Sequence, residues 1–136
     1  MTDAKKKERT EEILEAMKEE RGYLPAAWAY AAEKDIDFME AYNNLYKRSL
    51  TPGKALPVKT RELIAIAILA FRGREAGVYE HMKRALRHGA TKQELLEAIQ
   101  TMIIPGGAPT FNVGLSALAK IEEEDKKNRK KRSLTF

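Results

Sequence analysis

The sequence predicts an all-α fold of about seven helices. Three observations carry that expectation. Apolar residues recur at helical spacing almost throughout, and capping residues bracket each run. No stretch alternates apolar and polar residues as a half-buried strand would.

The first helix is expected over residues 4–21, after Thr2 or Asp3 as N-cap and before Gly22 as C-cap, with Ile13, Leu14 and Met17 as a narrow apolar stripe. Pro25 suits the first position of a second helix through Trp28, Tyr30 and Ala32. Asp35 or Asp37 can cap a third, carrying Phe38, Ala41, Tyr42 and Leu45, and Ser49–Lys54 reads as a loop. A fourth helix follows Pro57 and runs to about Arg72. Its segment Leu63–Phe71 is apolar on every face, which asks for cover from other helices or from another subunit. Met17, Trp28, Phe38, Tyr42 and Phe71 are assigned to core or interface. A fifth helix runs from about Glu75 to His88 and ends at Gly89. Thr91-Lys92-Gln93-Glu94 is a capping box that opens a sixth, Leu95–Ile104. Pro105-Gly106-Gly107-Ala108-Pro109 breaks the chain before a seventh, carrying Phe111, Val113, Leu115, Leu118 and Ile121.

Composition excludes several classes. The chain has 136 residues and no cysteine, which removes disulfides, thiolate metal sites, iron–sulfur clusters and thiol nucleophiles. The longest apolar run, Leu63–Phe71, is far short of the roughly 20 residues of a membrane span. The N-terminus lacks an apolar segment of the secretory kind, so a cytoplasmic protein is expected. The net charge of +5 is unevenly placed: residues 126–136 hold six cations and no acid, which leaves −1 over residues 1–125. The expected organisation is one helical domain over 1–125 and a frayed or disordered basic tail over 126–136. Weak nucleic-acid association through Lys126–Arg132 is ranked last among possible functions, because no basic face marks the body.

Leu56-Pro57-Val58-Lys59-Thr60-Arg61-Glu62-Leu63, then Gly73-Arg74-Glu75, then His81 through Gly89-Ala90-Thr91 and Glu94, and finally Gly107-Ala108-Pro109 stand in an ungapped order. This order closely resembles the carboxymuconolactone decarboxylase family, which shares its helical fold with alkylhydroperoxidase D. The resemblance covers about residues 56–118 and implies a homo-oligomer, whether dimer, trimer or hexamer. The peroxidase branch of that family resembles an acid, a Cys-x-x-Cys pair and a His. Aligned on His81, the two cysteine positions fall on Arg74 and Gly77, and the acid on Glu62. A thiol peroxidase is excluded by that chemistry. The resemblance implies instead a cysteine-free, decarboxylase-like enzyme acting on a small anionic lactone or related acid, without metal or cofactor. A non-catalytic ligand-binding or scaffold member is the alternative.

Three residues form the expected site. His81 would deliver a proton, and Glu62, on a stripe with Ile66 and Leu69, would orient or recharge it. Arg61, Arg72, Arg74 and Arg84 could hold a carboxylate, and Arg74 is favoured because it lies near the start of the helix of His81. Taken without the resemblance, Glu62 would be a first-turn acid paired with Lys59 or Arg61. His81 would then be a hydrogen-bonded structural residue. His88 suits the helix C-terminus, and two histidines without a clustered third ligand do not make a metal site. Glu62 and His81 are expected to meet across their two helices. His81 lies midway along its helix, so a steeply crossed or offset pair is required.

Overall fold

The computed structural model describes residues 1–135, all of whose regular structure is helical. Six helical elements follow in order: α1 (Asp3–Arg21), α2 (Ala27–Lys34), α3 (Ile36–Leu50), α4 (Val58–Phe71), α5 (Glu75–Arg87) and α6 (Lys92–Leu134). They form two compact units, Met1–Gly53 and the chain from Lys54 onward, where a single domain over 1–125 was expected.

In the first unit the caps are the expected ones. The Thr2 hydroxyl accepts from the Lys5 amide, the Asp35 carboxylate accepts from the Phe38 amide at 3.0 Å, and Gly22 closes α1 in the left-handed region. The second helix starts slightly later than its proline suggested, at Ala27. Met17, Ala32, Ile36 and Met39 form the core, with Trp28 packed against it. Phe38 and Tyr42 lie outside that core and are exposed. Arg21 is buried as well: its guanidinium lies 3.6 Å from the Tyr46 ring centroid and donates to the Asn43 side-chain oxygen at 2.8 Å. Burial holds its pKa below the ordinary arginine value. Arg9 fastens α1 to α3 with a two-pronged bond to the Glu40 carboxylate, at 2.6 and 2.5 Å, and a third bond to Asp37.

In the second unit α4, α5 and α6 share one core, built on Ile66, Ala70, Val78, Met82, Ala85, Leu95, Ile99, Ala117 and Ile121. The capping box is present at Thr91 and Glu94. Helix α6 reads as one element, so six helical elements are counted where about seven were expected, yet it is not straight. Gly107 has φ 76° and ψ 175°, a conformation that a side chain would strain. A straight helix would separate Ile99 and Gly114 by roughly 20 Å. Here a Cβ built on Gly114 would stand 2.9 Å from the Ile99 side chain. Lys92 likewise reaches Asp125 at 2.6 Å and Glu122 at 3.1 Å, 33 and 30 residues along the chain. The element is therefore folded back at Gly107 into two antiparallel arms, which is the break that the proline–glycine segment signalled.

Two expectations change. The helix that reads as apolar all round is buried along Val58, Glu62, Ile66 and Ala70, while Ile64, Ile68 and Phe71 are exposed. Residues Lys126–Arg132 are not frayed; they continue the second arm of α6 as exposed helix. Among the described residues no helix is long and apolar enough to cross a membrane.

Candidate functional site

Helices α4 and α5 are joined by Arg72-Gly73-Arg74, and Gly73 takes φ 68° in that turn. Glycine adopts this left-handed conformation without a Cβ penalty, so the chain reverses in three residues. The hairpin places Glu62, one turn into α4, level with the middle of α5. Glu62 and Arg84 are 22 residues apart, centred on Gly73. The Arg84 Nη1 donates to Glu62 Oε1. The other oxygen, Oε2, lies 2.5 Å from Nδ1 of His81, one turn closer to the bend. A steeply crossed or offset pair was expected; the contact is made because the two carboxylate oxygens serve two successive turns of the partner helix.

Burial makes this arrangement chemically significant. The Glu62 side chain is fully buried, that of Arg84 is 2% exposed, and that of His81 keeps 15%. A carboxylate removed from water needs charged or hydrogen-bonding partners, and here each oxygen has one. The carboxylate can only accept and the guanidinium can only donate. Nδ1 of His81 must therefore carry the hydrogen of its bond, which leaves Nε2 as the ring atom able to exchange a proton.

The expected site residues divide accordingly. Glu62 and His81 are brought together. Arg74 is an exposed residue at the start of α5, two turns before His81 and roughly 10 Å away along the axis. The guanidinium at the pair belongs instead to Arg84. It was one of four arginines considered from the sequence, and its signal was its position one turn beyond His81. Lys59, a suggested partner of Glu62, bonds Glu94 at 2.8 Å. Gly77 is packed rather than open: a Cβ there would stand 3.3 Å from Leu69. His88 is the exposed C-cap residue of α5. No group of three metal-ligating side chains occurs among the described residues.

An apolar cavity of about 340 Å³ lies where α4 ends and α6 bends. Ala67, Ile68, Phe71, Met102, Pro105, Gly106 and Thr110 line it, and none of the three charged-cluster residues is among them.

Fold and cluster together define a cysteine-free helical protein with a buried acid–histidine pair. Sequence comparison narrows the class. The family model described as the carboxymuconolactone decarboxylase family matches residues 37–120. The chain belongs to that family. It is 31% identical over 83 residues to a 4-carboxymuconolactone decarboxylase of Acinetobacter baylyi, covering 58% of this chain and 62% of that protein. An uncharacterised protein of Methanocaldococcus jannaschii is 33% identical over 89 residues, covering 60% of this chain and 86% of its own. An uncharacterised protein of Cupriavidus necator is 36% identical over 81 residues, covering 60% and 71%. The fold is shared with a solved structure from Burkholderia xenovorans that is provisionally named a carboxymuconolactone decarboxylase. It superposes with a TM-score of 0.72 at 24% identity, over 90% of this chain and 98% of that one.

Proposed function

We propose that this chain is a cytoplasmic proton-transfer enzyme of the decarboxylase type, acting on a small anionic lactone or related acid without redox cysteines, metal or cofactor. The observation that carries the reading is the 2.5 Å contact between Glu62 Oε2 and His81 Nδ1, at a ring that keeps some contact with solvent. A carboxylate on one ring nitrogen fixes the orientation and tautomer of the other, as a histidine general acid–base requires. Loss of carbon dioxide from an acid leaves an electron pair on carbon. A positioned imidazole can protonate that carbon, and no other group is demanded by the step. Arg74, the exposed N-cap residue of α5 two turns before His81, is the proposed anchor for a substrate carboxylate.

The Glu62–Arg84 ion pair favours a second reading, in which the cluster is structural and the protein binds a ligand without turning it over. Weak nucleic-acid association through exposed Lys126–Arg132 ranks behind both. The deciding experiment is a turnover screen of the purified chain against lactones and 2-oxo acids, with His81→Ala beside the wild type. General acid–base catalysis is typically worth roughly 10²–10⁴-fold, so the variant should lose about that much while keeping its helicity. Equal turnover in the variant removes His81 from the reaction. Thermal stabilisation by a compound that is never consumed selects the binding reading.

A further inference from the structure

We propose that the basic end of α6 is an interaction surface whose partner is a second copy of this chain, docked through the acidic face of its α1. The two surfaces are opposite in charge and every copy carries both. This goes beyond the proton-transfer reading and does not depend on it.

The acidic half is a stripe along α1. Glu8, Glu12, Glu15 and Glu19 recur at steps of four, three and four residues, with Glu11 beside them, so all five share one face of the helix. All five are exposed, and the stripe lies opposite the face that buries Thr10, Met17 and Arg21. Lys7 meets its edge, 3.9 Å from Glu11. Like charges three and four residues apart repel, so the stripe destabilises α1 until cations approach it.

The basic half has the same character with the sign reversed. Lys126, Lys127, Arg129, Lys130, Lys131 and Arg132 stand within seven residues of exposed helix. The helix dipole accounts for Lys131 and Arg132, which lie in the last turn, and its influence does not reach the other four. Most of the acids just before the run are engaged elsewhere: Glu122 and Asp125 hold Lys92, and Glu124 accepts from Tyr79. Asp125 is kept below the usual carboxylate range chiefly by Lys92, with a smaller contribution from Arg129. Glu123 joins Lys126, Lys127 and Lys130 around a shallow cleft of about 220 Å³. The run therefore presents more positive charge than its own helix answers.

Dimensions agree with such a contact. Glu8 to Glu19 spans roughly 16 Å of helix axis and Lys126 to Arg132 roughly 9 Å, so the cations fall within the length of the stripe. A nucleic acid would neutralise the basic run and leave the stripe repelling itself, whereas a second copy relieves both. Because the two patches differ, the contact is heterologous. The α6 end of one copy takes α1 of the next, and repetition gives a ring or an open chain. Exposed ion pairs are individually weak and are screened by salt, so the assembly should be reversible and favoured at low ionic strength.

The test is zero-length carbodiimide cross-linking of the full chain, which joins a carboxylate to an amine in contact with it. A mixture of unlabelled and nitrogen-15-labelled chains separates links between copies from links within one. Mass spectrometry should find α1 glutamates joined to lysines of the 126–131 segment across the two isotopic species at low salt. Sedimentation should show an association constant that falls roughly tenfold or more on going from about 50 mM to about 500 mM salt. Screening would not weaken an apolar contact through α4, so the two associations are told apart. Reversing the run (Lys126→Glu, Lys127→Glu, Lys130→Glu) or the stripe (Glu8→Lys, Glu12→Lys, Glu15→Lys) should abolish the salt-sensitive step. Both sets in one chain leave the net charge at +5, since three changes of each sign cancel, and should restore it. Links confined to one isotopic species, or none between α1 and the run, overturn the proposal even if a variant fails to fold. So does a salt-sensitive step that the doubly reversed chain does not regain. Binding of mixed-sequence single-stranded DNA without salt-sensitive self-association overturns it in favour of the nucleic-acid reading.

Discussion

Replacing Glu62 by Met tests how the buried cluster is held together. The side chains have similar length, so the substitution opens little cavity and mainly deletes the charge. It leaves Arg84, 2% exposed, without its carboxylate. His81 cannot compensate, because its only available charge is also positive. Breaking a buried pair from one side costs about 3–5 kcal/mol. For a chain of this size each kcal/mol is worth roughly 3–5 °C, so the melting temperature should fall by roughly 10–20 °C. The double variant Glu62→Met/Arg84→Met removes both charges together, and apolar replacement of a whole pair is often neutral or better. It should recover most of the loss. The assay is thermal and urea unfolding followed by circular dichroism at 222 nm, at one protein concentration so that association does not enter the comparison. A Glu62→Met protein within about 1 kcal/mol of wild type would refute the reasoning. A double variant as unstable as the single would refute it equally.

Four further outcomes follow from the geometry. The Tyr79 hydroxyl donates to Glu124 at 2.5 Å, and that bond together with burial pushes its pKa up to about 12. The stabilisation is complete below the ordinary tyrosine range and is lost as pH rises through that value. Absorbance titration should show one late phenol that Tyr79→Phe removes. The bond from Arg9 holds Glu40 below the usual carboxylate range, so its contribution is present above that range and disappears as pH falls through the lowered value. Arg9→Met should therefore flatten the acid side of the stability curve, and an unchanged acid limb would remove the clamp from the account. Ile64, Ile68 and Phe71, which are 48%, 56% and 68% exposed, leave one face of α4 apolar in a single chain. We expect sedimentation to show a homo-oligomer that Ile68→Lys weakens; a stable folded monomer at micromolar concentration would contradict this. Gly114→Ala should destabilise by about 1–2 kcal/mol, as overpacking against Ile99 outweighs the helix propensity gained. Combined with Ile99→Ala, which removes the clashing atoms, it should cost less than the two single effects added.

Much of this molecule is legible in one dimension, and the division between what is and what is not has a physical basis. Caps are local chemistry. Thr2, Gly22, Asp35 and the Thr91–Glu94 box act within a few residues of themselves, and the sequence names Gly22 and the box outright and narrows the other two to Thr2 or Asp3 and Asp35 or Asp37. The reversal at Gly107 is equally local, and proline and glycine signal it. The partners of Glu62 are another matter, since they depend on which turns of two helices stand level. That information was available in weak form: Glu62 and Arg84 are equally spaced about Gly73, the glycine that turns the hairpin. Arg84 was considered from the sequence only as one of four arginines that could hold a carboxylate, and this symmetry was not used to make it the partner of Glu62. The exposure of α4 was hidden for a different reason. A run of Leu, Ile and Ala looks alike on all sides, and only the positions of α5 and α6 decide which side is covered.

Glu62, His81 and Arg84 all belong to one hairpin, two helices adjacent in the chain and joined by a three-residue turn. Contacts between sequence neighbours close at little entropic cost and form early in folding. The alignment of carboxylate, imidazole and guanidinium is therefore inherited from the α4–α5 pair, while the arms of α6 complete the core around it. Alignment and cover are then separable properties of the sequence. Substitutions along α6 are free to alter what reaches Nε2 of His81 without moving the atoms that orient it, so one acid–base device can be fitted behind different entrances.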